Sequence, residues 1–69
     1  MVCCFVCIKC GHFADPGMSR WNKTDGQDRR CHQCIIEDGD ATEEETRLWN
    51  ATPRFEKAPD DLPRGEPVM

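Results

Sequence analysis

Large apolar side chains are sparse in this sequence and gather in its first half: Val2, Phe5, Val6, Ile8, Phe13, Met18, Trp21, Ile35 and Ile36 all precede Gly39. Turn signals interrupt them. Residues 3–13 read as a tight turn and the start of a hairpin, and Asp15-Pro16-Gly17 as a second turn. Ser19 is placed to cap a short helical segment reaching Asn22, and Thr24-Asp25-Gly26-Gln27 reverses the chain again. A helix beginning at residues 34–38 would be interrupted by Gly39. Asp40-Ala41-Thr42-Glu43 resembles a capping box, and three successive glutamates sit favourably near a helix N-terminus, so a helix is predicted over residues 41–50. Its apolar residues, Ala41, Leu48 and Trp49 with Ala51 just beyond, are too few to fold alone. Beyond Thr52, Pro53, Pro59, Pro63 and Pro67 break regular structure, and Phe55, Leu62 and Val68 are isolated apolar points in a polar strip. Such a tail reads as extended or disordered, or as a strip that wraps across a larger assembly.

So small an apolar set leaves a chain of 69 residues in the range where metals or disulfides are common staples. The cysteines supply the candidate. Cys7/Cys10 and Cys31/Cys34 are two Cys-x-x-Cys pairs, and Gly11 follows the first where the chain must turn sharply. Four thiolates at this spacing can surround one Zn²⁺ tetrahedrally, with backbone N–H groups of each turn pointing at the sulfurs. The apo form is expected to be largely unfolded.

Other uses of the cysteines are weaker. Residues 1–9 lack a basic leader region and a cleavage site, which argues against a secreted disulfide framework. A rubredoxin-type iron site usually repeats the glycine after its second pair, whereas Ile35 follows Cys34. A thioredoxin-like role for Cys7-Ile8-Lys9-Cys10 needs a βαβ scaffold that this length cannot hold. Cys4-Phe5-Val6-Cys7 overlaps the first pair as an alternative register. Cys3 and Cys4 read as small, partly buried residues; a second metal, a partner's site and S-acylation remain as alternatives, and a membrane partner is expected only with acylation. Val2 occupies the place that N-myristoylation reserves for glycine.

His12 and His32 read as surface residues or as neighbours of the metal ligands. Neither is paired with a nucleophile, and a Cys₄ site leaves no open position for substrate, so no enzyme activity and no small-molecule substrate are expected. Asn22-Lys23-Thr24 and Asn50-Ala51-Thr52 match the glycosylation sequon by chance if there is no secretory signal. The acidic run from Asp38 lacks the glycine and the final glutamate of a calcium loop.

Charge divides the chain near Gly39. Residues 1–38 are formally neutral, and the whole net charge of −4 falls beyond them. That is no footprint for duplex nucleic acid. A local basic group remains in Arg20, Lys23, Arg29 and Arg30 around Trp21, where an aromatic ring and cations could meet a base and phosphates. The alternative role for Trp21 is as apolar cover over the two metal turns.

The stretch 7–36 resembles the LIM-like zinc domain of the fungal heterochromatin adaptor family that links RNA interference to histone methylation. The residues that carry this are Cys7/Cys10, then Met18-Ser19-Arg20-Trp21 (one spacer residue shorter than in the family), then Arg29-Arg30-Cys31 with Cys34-Ile35. The resemblance implies a treble-clef-like fold and a protein-binding role, although no further ligand pairs follow Cys34. The zinc finger of the bacterial DksA/TraR transcription factors is similar in its two cysteine pairs and Gly11, but the coiled coil that carries their activity has no counterpart here.

The sequence thus predicts a small metal-stabilised α+β protein. A single Cys₄ zinc finger, treble-clef-like or zinc ribbon, fills residues 1–38; an acidic linker and one short helix fill 39–52, and an extended or disordered Pro-rich tail fills 53–69. One Zn²⁺ is held by Cys7, Cys10, Cys31 and Cys34. Trp21, Leu48, Trp49 and Phe55 are the candidates for contact with a protein partner or larger complex. Nucleic-acid binding through Arg20, Lys23, Arg29 and Arg30 is the alternative. An intracellular, reducing compartment is expected.

Overall fold

The computed structural model describes residues 3–68, and Val2 lies outside them. The hairpin read from residues 3–13 is formed by strands β1 (Cys4–Val6) and β2 (Phe13–Ala14), antiparallel with Phe5 opposite Ala14 and Val6 opposite Phe13. Its closing turn carries Cys7 and Cys10. The Cys7 N–H donates to the His12 carbonyl at 2.8 Å and the Gly11 N–H to the Cys7 carbonyl at 3.0 Å. Gly11 has φ +75°, a conformation that favours glycine, and a Cβ there would meet the Arg64 guanidinium at 3.0 Å and make that side chain shift.

A single 3₁₀ turn, Pro16–Met18, is capped by the Asp15 carboxylate, which accepts from the Gly17 N–H at 2.8 Å. Helix α1 (Trp21–Thr24) follows and ends where Asp25 and Gly26 take left-handed backbone angles. The chain then enters helix α2 (His32–Glu37), which starts earlier than residue 34 because the Cys31 sulfur caps it by accepting from the Cys34 N–H at 3.4 Å. Gly39 stops it as expected. The Asp40 N–H bonds back to the Ile35 carbonyl and the Gly39 N–H to Ile36, closing a Schellman motif.

Helix α3 (Glu43–Asn50) carries a capping box, but two residues later than the sequence reading put it. Thr42 Oγ1 accepts from the Glu45 N–H at 3.1 Å, and the Glu45 carboxylate accepts from the Thr42 N–H at 3.0 Å. Asp40 is not free to cap, because its backbone closes α2 and its carboxylate binds Arg30 at 2.7 Å.

The Pro-rich tail does not stand apart from the module. Glu56 and Gly11 carbonyls accept from the N–H groups of Phe13 and Ala58, and the Val6 and Glu66 carbonyls from those of Gly65 and Val6. Strand β3 (Pro67–Val68) then pairs antiparallel with β1, giving a three-stranded sheet in the order β2-β1-β3. β3 is an edge strand, the place where a proline costs no interior ladder bond. With β1 central, Phe5 and Val6 are both fully buried. The cluster at the centre is small: Phe5, Cys7, Ala14, Cys31 and Cys34, with Cys10 and Trp21 packed against it; Val6, Ile35, Trp49 and Ala58 are buried around it. Among the described residues no helix is long and apolar enough to cross a membrane.

Candidate metal centre

Three of the core residues just named are cysteines, and the fold brings both pairs to one point. Cys7 ends β1 and Cys10 completes the hairpin turn, while Cys31 caps α2 and Cys34 lies in its first turn. The four sulfurs all lie within 4.8 Å of one another. Cys7 and Cys34 are 3.6 Å apart, and Cys10 and Cys31 are 3.7 Å apart. A tetrahedral ion with metal–sulfur bonds of about 2.3 Å needs sulfur–sulfur edges of about 3.8 Å. The residues therefore fit a metal ion, and a disulfide, at about 2.05 Å, is far from these separations. All six cysteines are free thiols.

Cys7 sits in the most polar cradle. Its sulfur accepts from the N–H groups of Lys9 at 3.4 Å, Cys10 at 3.5 Å and Cys31 at 3.2 Å. A hydrogen bond from the Cys31 thiol, aided by those N–H groups, lowers Cys7 to about 4 against the opposing effect of burial. Cys31 is correspondingly raised, chiefly through that bond to Cys7. Burial pushes Cys34 up to about 12. The backbone N–H groups thus favour the thiolate form most at Cys7, and a bound cation would stabilise all four sulfurs in that form.

Arg54, which the sequence reading did not single out, lies against this cluster. Its Nη2 is 3.8 Å from the Cys34 sulfur and 3.2 Å from Glu37 Oε1. Burial opposes its charge, but the cysteine sulfurs outweigh that and raise its pKa. Nothing local in the sequence marks it; it arrives because α3 and Thr52 turn the chain back over α2.

The proposed partner residues separate sharply. Trp49 is corrected: it is only 3% exposed, with its ring edge-on to His32 at 6.4 Å and under the Arg20 guanidinium at 5.8 Å, so no partner can reach it. Trp21 stacks on Phe5 with ring centroids 4.6 Å apart, in the covering position weighed as its alternative role. Phe55 is half-buried, with its ring 5.5 Å from His32. Of these four side chains only Leu48, at 58% exposure, stands open on the surface.

The basic group is also spent internally. Arg20 forks onto the Glu45 carboxylate at 2.5 and 2.6 Å, and Lys23 joins it at 3.4 Å. Arg30 pairs with Asp28, Asp38 and Asp40 at 2.6, 2.9 and 2.7 Å. Arg29 donates to the carbonyls of Gly26 and Gly65 and lies 5.3 Å over the Trp21 ring. These cations join elements of the fold and do not form an unpaired basic patch.

Nor is His32 a surface residue. It is fully buried, and its Nε2 donates to the Thr52 carbonyl at 2.9 Å. His12 Nδ1 donates to the Phe55 carbonyl at 2.7 Å, so each histidine fastens the returning chain.

Glu45 carries a pH dependence. The Thr42 N–H, helped by Arg20, lowers its carboxyl from 4.5 to about 2. A depressed folded-state pKa means that its contribution is complete above pH 4.5 and is lost as pH falls toward 2. Glu45→Gln should therefore be less stable than the native chain at neutral pH, and that difference should shrink through this window. Urea unfolding of both proteins at matched pH, from neutral down through this window for as long as a cooperative transition is seen, checks it.

Compared with models of known protein families, with curated proteins and with solved structures, the chain matches none.

Proposed function

We propose that this is a non-catalytic interaction protein built on one structural Zn²⁺, acting as a small subunit of a larger protein complex. The observation that carries the reading is the Cys₄ cluster: four sulfurs within 4.8 Å of one another can fill a tetrahedral first coordination shell, which leaves no position for substrate. Zinc suits such a set because it has no geometric preference of its own and favours thiolate. One ligand pair on a hairpin turn and the other in the first turn of α2 support the treble-clef-like form over a ribbon, which would take both pairs from hairpins.

Protein recognition is supported by what remains open. Leu48 is exposed on α3 with Glu43, Glu44 and Arg47 nearby, and Ile8 is 53% exposed at the tip of the first metal turn. The internal pairing of Arg20, Lys23 and Arg30 supports this reading over nucleic-acid binding.

Fluorescence anisotropy with labelled single-stranded RNA and duplex DNA tests the choice. The expected result is no binding that depends on salt. Binding that weakens steeply with salt and disappears in Arg29→Ala/Arg30→Ala would replace the protein-recognition reading.

A further inference from the structure

The four sulfurs are unequally supported. Cys7 receives three backbone N–H groups and Cys31 receives one, from Cys34. Cys34 has no backbone donor among the described residues, and the donor outside the cluster that faces it is the Arg54 guanidinium, 3.8 Å away. Arg54 Nε is buried and has no partner of its own among the described residues. A cluster of four thiolates around a divalent ion carries two net negative charges, and a half-buried cation beside it offsets one of them.

Arg54 also lies between two fastened points of the chain. On one side the Thr52 carbonyl is held by His32 and Gln33 of α2, at 2.9 and 3.0 Å. On the other the Phe55 carbonyl is held by His12, and from Glu56 onward the backbone is bonded to β1, β2 and the turn between them. The residue that touches the metal cluster is thus the one from which the tail departs across the sheet.

We propose that Arg54 is a positioning residue of the metal centre, hydrogen-bonding the Cys34 sulfur and thereby coupling metal occupancy to the docking of residues 53–68. The inference rests on the zinc reading. If the bound ion favours the docked tail through this contact, the docked tail favours the ion by the same factor. The sheet is then completed in step with metal binding, because β3 belongs to the coupled segment.

The test uses the full chain with zinc, with Co²⁺ as a spectroscopic stand-in. Arg54→Ala should weaken zinc, measured by competition with a chromophoric chelator, by about ten- to a hundredfold. It should also move the thiolate-to-cobalt charge-transfer band to longer wavelength, since a sulfur that loses a hydrogen bond gives up its electrons more easily. Amide exchange at Phe13, Ala58 and Gly65 should quicken in zinc-loaded Arg54→Ala. Arg54→Lys, which keeps the charge and loses the fork, should fall between. One zinc in both native and Arg54→Ala proteins with equal affinity and an unmoved band overturns this proposal alone, as does a weakened site with unchanged exchange. A native chain that binds no zinc overturns the zinc reading and this proposal together.

Discussion

Chelation of the metal is expected to abolish the cooperative thermal transition and to remove most helical circular dichroism. Three of the five residues in the central buried cluster are cysteines, so without an ion much of the centre of the molecule is a set of thiols. Of the other large buried groups, Phe5 and Val6 belong to β1 and His32 and Ile35 to α2, the elements that the cluster joins, while Trp49 packs on His32 from α3. Small zinc modules draw an apparent ~10–16 kcal/mol from metal binding, against a net stability of about 5–15 kcal/mol for ordinary domains. Cys7→Ser should reproduce the effect without a chelator. A sharp transition that persists after complete metal removal would contradict the account.

The second large effect distinguishes two adjacent residues. Trp49→Ala should cost about 3–5 kcal/mol, the usual loss for a large buried aromatic side chain. It empties the space beside His32 and takes the ring from under Arg20, loosening α3 from α2. Leu48→Ala should stay within about 0.5 kcal/mol, because that side chain is exposed. Urea titration of the zinc-loaded proteins measures both. Equal losses, or a larger loss at Leu48, would mean that α3 presents its other face to the module.

These two residues also show where the sequence was legible. A helix ending near Asn50 follows from glutamates, leucine and the change to proline, all of them local signals. Which of Leu48 and Trp49 turns inward depends on the rotation at which α3 meets α2, and eight residues carry too few apolar positions to fix it. The cysteine frame, the hairpin turn at Gly11 and the stop at Gly39 were readable because each is set by chemistry within a few residues. The capping box was misplaced because Asp40 had tertiary duties, to Arg30 and to the end of α2, that no local pattern shows. Thr42 and Glu45 themselves match the box spacing.

The tail shows the same limit more strongly. Its prolines and scattered apolar residues cannot build a core, yet its backbone is bonded strand-like to a module that has a free edge beside β1. Such pairing uses main-chain groups that every sequence possesses, so composition cannot reveal it. His32 and Arg54 were legible only as residue types; their burial and their partners exist because the chain returns over α2.

The central claim is one ion held by four named thiolates. Native mass spectrometry of the intact chain, combined with metal analysis and alkylation of accessible thiols, tests it most directly. The account predicts one zinc per chain and two thiols open to reagent, the exposed Cys3 reacting before the half-buried Cys4, whose thiol burial and its neighbour Cys3 hold above the usual range. A metal-free chain with its cysteines joined in disulfides would contradict it.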